Sequence, residues 1–143
     1  MARPETGPWP DLRHERSLVR HGLTRVAGLD EAGRGALAGP IFAAAVLLPL
    51  ERRRLAATLK GVRDSKLMTE LQRRRCAETI RQTALDWSVA QATCEEIDAV
   101  GPLVATRRAM VRAVQALHVA PQHLLIDHLL LAEVDIGQTA LPH

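Results

Sequence analysis

Two apolar runs stand close together near the start of the chain. The first, TRVAGLD, ends at Asp30, and the second, IFAAAVLLPL, extends from Ile41 to Leu50. A glycine-rich stretch, EAGRGALAGP, separates them, and such stretches between apolar runs are typical of turns. This pattern predicts two neighbouring strands that pair in antiparallel fashion.

Helical spacing of apolar residues follows the second run. The segment ERRRLAATLK predicts a short helix, and the polar stretch VRDSK after it predicts a loop. Thr69 with Gln72 three residues later resembles a capping box, which marks the start of a helix. This helix is expected to extend to about Leu85, with Leu71 and Ile80 on its apolar face.

Strands and helices alternate in the second half of the chain. DWSVAQAT predicts a strand, CEEIDAV predicts a helical turn that Gly101 interrupts, and Pro102 suits the first turn of a further helix. The apolar run HLLIDHLLL predicts a buried strand that ends at Asp127, and the chain after Leu131 has no regular pattern. The order strand, strand, helix, strand, helix, strand predicts an α/β fold in which helices pack on a mixed sheet.

The length of 143 residues corresponds to one domain. Apolar residues make up 47% of the chain and charged residues 24%, as in folded globular proteins, which excludes disorder as the main state. Because only 2% of the residues are aromatic, the core must be built from Ala, Leu, Val and Ile, and aromatic base-stacking platforms are not expected. We predict a flexible arm over residues 1–22 and one domain over residues 23–143.

Charge and cysteine content narrow the class of protein. The net charge is +3, and all but two of the basic residues are arginine, whose planar fork is compatible with a phosphate-bearing partner. Cys76 and Cys94 form neither a CxxC pair nor part of a zinc-binding pattern. No signal peptide is recognisable, and the longest apolar run is too short to span a bilayer. We therefore expect a cytoplasmic protein that is not bound to membranes.

Asp30 and Glu31 are the first feature that composition does not explain. Two like charges about 4 Å apart repel by about 4 kcal/mol at an effective dielectric constant of about 20. A divalent cation between them would relieve this repulsion, and carboxylate oxygens suit Mg²⁺ or Mn²⁺. Because Asp127 ends another predicted strand, three carboxylates meet at one edge if the two strands are neighbours. The alternative is that the two adjacent acids belong to an ordinary turn or a helix N-cap.

The glycine-rich stretch also fits a dinucleotide-binding motif. Gly33-x-Gly35-x-x-Ala38 has the required spacing, and Glu51 stands about where a ribose-binding acid would. That motif needs a helix that starts within it. Here a Gly-Pro pair follows at once and precedes an apolar run, so we set this interpretation aside.

Taken together, the motifs closely resemble those of the ribonuclease HII family, the type 2 ribonucleases H. The stretch VAGLDEAGRGALAGPIFAAAVLLP is similar to the family's N-terminal signature. The likeness continues in collinear order from about Arg25 to the C-terminus. It includes DSK, EEID, ATRRAM and LLID, at residues 64–66, 95–98, 105–110 and 124–127.

The resemblance implies a ribonuclease H-like fold and a metal-dependent endonuclease of DNA replication and repair. Such an enzyme hydrolyses the RNA strand of RNA–DNA hybrids, and ribonucleotides embedded in duplex DNA, with two Mg²⁺ or Mn²⁺ ions. The partner is then a nucleic acid, and we expect a monomer. The residues implied are the catalytic metal ligands Asp30, Glu31 and Asp127, the 2′-hydroxyl and backbone contacts Gly33, Arg34 and Gly35, and the phosphate contact Lys66.

The chain departs from the family pattern at its C-terminal end. Family members continue past LPH into a Gly-Asp pair that supplies a fourth catalytic carboxylate, and then into a helical segment with a stacking Tyr. This sequence ends at His143, contains no Tyr, and has no match to the fourth acid in Asp135. We therefore expect a C-terminally truncated ribonuclease HII with little activity of its own. Two alternatives stay open: a short remnant that binds metal or hybrid without cleaving it, and a non-enzymatic α/β domain with structural acids.

Overall fold

Within residues 9–142, which the computed structural model describes, five strands form one sheet. They are β1 (Val26–Ala32), β2 (Ile41–Leu47), β3 (Asp86–Ala92), β4 (His123–Asp127) and β5 (Gly137–Leu141). Their spatial order is β3-β2-β1-β4-β5, with antiparallel pairing from β3 to β1 and parallel pairing from β1 to β5. The predicted mixed sheet and its antiparallel β1–β2 pair are confirmed.

Five helices join or flank these strands in the described part of the chain. They are α1 (Arg13–Arg20), α2 (Leu55–Thr58), α3 (Glu70–Thr83), α4 (Cys94–Val100) and α5 (Pro102–Gln115), with a 3-10 turn over Ser65–Leu67. The predicted capping box is confirmed, because Thr69 Oγ1 accepts from the N–H of Gln72 at 3.2 Å and Gln72 Oε1 accepts from the N–H of Thr69 at 2.8 Å. The predicted start of α5 at Pro102 is also confirmed.

The core lies between one face of the sheet and α5. Alanines on both elements let the helix approach the sheet closely; they are Ala27, Ala43 and Ala45 on the strands and Ala105, Ala109 and Ala113 on α5. Larger side chains such as Leu47, Met110 and Ile126 fill the remaining space and are fully buried. Burial of one such side chain stabilises the fold by about 1.5–3 kcal/mol. This core of small and aliphatic side chains is the one that the low aromatic content predicts.

On the opposite face of the sheet, β2 and β3 carry exposed side chains, whereas Val26 of β1 and Leu125 of β4 are buried. Phe42, Trp87 and Val89 project from β2 and β3 on this side and are between 41% and 54% exposed. Helix α3 has no fully buried residue, and Leu71, which is predicted to lie on the apolar face of this helix, is 59% exposed. The predicted apolar face of α3 is therefore wrong at Leu71, whereas Ile80 is half-buried and Arg73 to Arg75 are exposed, as predicted. Its capping box and an exposed ion pair between Arg74 and Glu70 support the helix instead.

Helix α1 lies within the segment that was predicted to be an irregular arm. Asp11 Oδ1 accepts from the N–H of Arg13 at 2.9 Å and so satisfies a donor in the first turn of this helix. No residue of α1 is buried, so the helix adds nothing to the core. The first eight residues of the predicted arm lie outside the described residues. Among residues 9–142, no helix has both the length and the apolar character that crossing a bilayer requires.

Two strands and one helix differ in extent from the prediction. Strand β1 continues past Asp30 to Ala32, so both acids lie inside the strand and not after it. Strand β5 forms where irregular chain was expected, because its backbone pairs with β4 through hydrogen bonds that require no apolar pattern. Helix α2 covers four residues of the ten in the predicted helix.

Candidate metal centre at the ends of β1 and β4

Asp30 and Asp127 directly follow the last residues that pair with each other in two parallel strands, β1 and β4. Leu29 of β1 pairs with Ile126 of β4, and both of these residues are buried on the core face. Because successive residues of a strand point to opposite faces, the next residue of each strand lies on the face opposite the core. Adjacent strands are about 4.8 Å apart. Two carboxylates therefore share one end and one face of the sheet, where the sequence predicts three.

By the same alternation, Glu31 points to the other face of the sheet. It follows Asp30 in β1, and its side chain is 17% exposed, with Oε1 3.8 Å from Nη1 of Arg34. Within residues 9–142, no group of three or more His, Cys, Asp or Glu side chains is close enough to hold a metal ion. The structure thus brings two of the three predicted ligands together and does not bring Glu31 to them.

Each aspartate of the pair has a local contact. Oδ1 of Asp30 accepts from the N–H of Glu31 at 2.8 Å, which restrains rotation of the Asp30 side chain. Oδ1 of Asp127 lies 3.3 Å from Nε2 of His128. Both contacts come from the residue that directly follows the aspartate.

The predicted substrate-binding glycines lie in the loop that joins β1 to β2. No helix starts in this loop, so the dinucleotide-binding interpretation stays excluded. Gly33 has φ +91°, and a Cβ built on it would lie 2.7 Å from the carbonyl oxygen of Pro40, so this position requires glycine. A Cβ on Gly35 would have no neighbour within 4 Å. Close packing against Pro40 therefore explains why residue 33 is glycine. The space around Gly35 is open.

An open pocket of about 370 Å³ lies between this loop and the junction of α4 with α5. Gly33 and Arg34 line it on one side, and Cys94, Asp98 and Pro102 line it on the other. The sequence prediction assigned no role to Asp98 or Cys94. The EEID motif, which ends at Asp98, is the feature of the sequence that points to this side of the pocket.

An ion pair fixes the α4 wall of this pocket. The guanidinium of Arg112 on α5 donates to both carboxylate oxygens of Glu96, at 2.8 and 2.5 Å, and also to the carbonyl oxygen of Gln91 on β3. The hydrogen bonds from Arg112, together with that from the N–H of Thr93, lower the pKa of Glu96 to about 2. This contact ties α4, α5 and β3 together.

Lys66, the predicted phosphate contact, lies in the 3-10 turn after α2. Lys66 is exposed, and its backbone N–H donates to Oδ1 of Asp64 at 3.1 Å. The DSK motif therefore has a structural use, since Asp64 caps the turn that carries the lysine.

The order of the strands and the helices on the sheet define a ribonuclease H-like α/β protein. The structure is similar to that of ribonuclease H2 from Pyrococcus horikoshii OT3, with a TM-score of 0.61 and 27% identity over 82% of this chain and 61% of that chain. It is also similar in fold to Bst-RNase HIII in complex with Mn²⁺, with a TM-score of 0.60 and 24% identity over 99% of this chain and 52% of that one.

The sequence comparisons identify the family. The ribonuclease HII family model matches residues 27–135. The chain is 44% identical to the ribonuclease HII of Moorella thermoacetica over 89% of its own length and 59% of that protein. It is 52% identical to the ribonuclease HII of a Janthinobacterium species over 71% of its own length and 46% of that protein. The chain therefore belongs to the ribonuclease HII family, and it spans about half the length of these two relatives.

Proposed function

We propose that this chain carries the metal-binding aspartates of a ribonuclease H. The proposed enzyme hydrolyses the RNA strand of RNA–DNA hybrids, and ribonucleotides embedded in duplex DNA, in two-metal-ion catalysis that serves DNA replication and repair in the cytoplasm. Membership of the ribonuclease HII family supports this proposal. The single observation that carries it is the pairing of Leu29 with Ile126, because the residues that follow this pair are Asp30 and Asp127.

The donor set fits a hard divalent cation. Mg²⁺ and Mn²⁺ are held in proteins by one or two carboxylates, with waters and substrate oxygens completing the shell. Asp30 and Asp127 supply two carboxylates from rigid strands, and both residues are accessible to solvent. Glu31 is the remaining predicted ligand, and its position on the opposite face makes it the weakest member of the proposed set.

The bound cation would supply an activated water and would stabilise charge on the phosphate oxygens. The residues of the chain hold and orient the reacting groups. Asp30 and Asp127 keep the cation at one end of the sheet. Asp30 is itself restrained by the N–H of Glu31, which keeps an oxygen of the ligand in a defined direction.

Substrate recognition is assigned to the glycine-rich loop and to Lys66. At Gly35 there is open space in which a nucleic-acid backbone could approach the main chain without meeting a Cβ. The 2′-hydroxyl is the group by which a protein distinguishes RNA from DNA, and the loop from Gly33 to Gly35 is the proposed contact. The charges of Arg34 and Lys66 are proposed to bind phosphates.

Titration calorimetry with Mn²⁺ tests the proposed metal centre. We expect binding by the unaltered protein, and strong weakening by Asp30→Asn and by Asp127→Asn. Asp135→Asn is the matched control, because Asp135 is an exposed aspartate of the loop before β5. Equal affinity in all four proteins would remove the aspartate pair from the proposal.

A cleavage assay separates the enzyme from the binding remnant. The substrate is a DNA duplex with one embedded ribonucleotide, in the presence of Mn²⁺. Cleavage that Asp30→Asn abolishes supports the endonuclease. Retention of the duplex without cleavage supports the alternative, a metal- or hybrid-binding remnant, which the separation of Glu31 from the two aspartates favours.

A further inference from the structure

His128 has an unusual backbone conformation directly after Asp127. Its φ is +57°, and no other residue except glycine has a positive φ among residues 9–142. Left-handed backbone is unfavourable for a residue with a Cβ, although His adopts it more often than most. Such outliers persist where the surrounding structure holds them, and they are concentrated at functional sites.

The chain makes a three-residue turn at this position. The N–H of Leu129 donates to the carbonyl oxygen of Asp127 at 2.8 Å, which is the hydrogen bond of a γ-turn centred on His128. The N–H of His128 donates to the carbonyl oxygen of Leu141 at 3.3 Å and so extends the pairing of β4 with β5.

Burial on the far side of the turn keeps it in place. Leu129 is 8% exposed and Leu131 is fully buried, so the chain must return to the core directly after His128. The side chain of Gln138 on β5 accepts from the N–H of Leu131 and donates to its carbonyl oxygen, at 2.7 and 2.8 Å. The backbone of His128 is thus held on one side by its pairing with β5 and on the other by the buried residues that follow it.

This turn directs the ring of His128 back to the carboxylate that precedes it. Nε2 lies 3.3 Å from Oδ1 of Asp127, and the two side chains are 40% and 37% exposed. A carboxylate on a strand end can rotate about its side-chain bonds, and a ring in contact with one oxygen limits that rotation. The loss of a group that orients a metal ligand typically weakens metal binding by about 10–100-fold.

We infer that His128 is a positioning residue that orients the Asp127 carboxylate toward the cation shared with Asp30. The inference rests on the proposed metal centre and adds a residue that the ribonuclease HII motifs of this chain do not include. The γ-turn has a purpose under this inference: it is the backbone geometry that returns the ring to Asp127.

Substitutions of His128 distinguish the effect of its ring on Asp127 from the effect of its strained backbone. His128→Gly removes the ring and accepts a positive φ, so the protein should be as stable as before or more stable. His128→Asn keeps a side chain that tolerates the left-handed region but is shorter than His. We expect both variants to weaken Mn²⁺ binding about tenfold or more, with the thermal midpoint maintained.

His118→Asn is the matched control. Nδ1 of His118 lies 3.6 Å from Oδ1 of Asp86, a similar contact between histidine and aspartate on another part of the sheet. This variant should leave the Mn²⁺ dissociation constant unchanged. Electron paramagnetic resonance of the bound Mn²⁺ should show no directly coordinated nitrogen, because a positioning residue acts through the carboxylate.

The possible results of these measurements distinguish a positioning role of His128 from the other roles. Affinity unchanged in both His128 variants, with binding lost in Asp127→Asn, overturns the inference and leaves the metal centre standing. Loss of stability and affinity together in both variants means a structural role and also overturns it. Nitrogen coordination to Mn²⁺ would make His128 a ligand and not a positioning residue. If the unaltered protein binds no Mn²⁺, the proposed metal centre itself fails, and the inference with it.

Discussion

Leu29 of β1 pairs with Ile126 of β4 in parallel register, and this contact sets the geometry of the candidate metal centre. Residues that follow paired positions in parallel strands arrive at the same edge of the sheet and on the same face. Asp30 and Asp127 are therefore neighbours because the buried residues that precede them, Leu29 and Ile126, are paired. The two carboxylates repel each other unless a cation lies between them.

Asp30→Asn should stabilise the protein when metal is absent and make it less stable than the unaltered protein when metal is present. Without metal, the free energy of unfolding should rise by about 0.5–1 kcal/mol, because one of two neighbouring exposed charges is removed. Asn retains an oxygen that can accept from the N–H of Glu31. With Mn²⁺ in excess the unaltered protein gains binding free energy that the variant lacks. Urea unfolding in EDTA and in Mn²⁺ measures both effects.

Asp135→Asn serves as the control for this experiment. Asp135 is exposed and lies in the loop before β5. Its substitution should change the unfolding free energy by the same small amount with and without Mn²⁺. An equal Mn²⁺ response of Asp30→Asn and the unaltered protein would contradict a cation at this position.

Gly33→Ala should destabilise the protein by about 1–3 kcal/mol. A Cβ at this position would lie 2.7 Å from the carbonyl oxygen of Pro40, on a backbone with φ +91°. Gly35→Ala is the control two residues along the same loop, where a Cβ would meet nothing within 4 Å. Urea denaturation compares the two. Equal losses would mean that the loop rearranges to accept a Cβ at Gly33.

Much of the fold is predictable from local patterns. Apolar runs around glycines predict the β1–β2 pair, and Thr69 with Gln72 predicts the start of α3. Strand β5 was missed because GQTAL has no alternation of apolar residues, and its pairing with β4 depends on the tertiary structure. The exposure of Leu71 was missed because helical spacing identifies an apolar face but not what covers it.

The site is predictable only in part. A strand that ends in an acid predicts that Asp127 lies at the sheet edge, and this is confirmed by its position at the end of β4. The separation of Glu31 from Asp30 follows from the alternation of side chains once β1 is known to continue to Ala32. The backbone of His128 has no signal in the sequence, because the turn is imposed by the burial of Leu129 and by pairing with β5.

Acid should loosen the junction of α4 with α5. Arg112 holds the pKa of Glu96 at about 2, well below its ordinary value of 4.5. A carboxyl whose pKa is depressed in the folded state stabilises the protein fully above its ordinary pKa, and this contribution disappears as the pH falls from about 4.5 to about 2. The thermal midpoint should therefore fall across this range. Arg112→Met should flatten that part of the curve.

Arg108→Met is the comparison for the acid experiment. Arg108 lies 3.9 Å from Glu96 and makes no hydrogen bond to it in the described structure, whereas Arg112 donates two. Its loss should leave most of the acid dependence in place. An identical flattening in both arginine variants would show that general charge, and not the hydrogen-bonded pair, sets the pKa of Glu96.

Two positions of β2 should respond differently to truncation, because they lie on opposite faces of the sheet. Leu47 is fully buried in the core, so Leu47→Ala should cost about 2–5 kcal/mol of unfolding free energy. Phe42 is 44% exposed on the face opposite the core, so Phe42→Ala should cost about 1 kcal/mol despite removing the larger side chain. Urea unfolding at two protein concentrations checks both values. A cost for Phe42→Ala that matches Leu47→Ala and grows with concentration would mean that another copy of the chain covers this face.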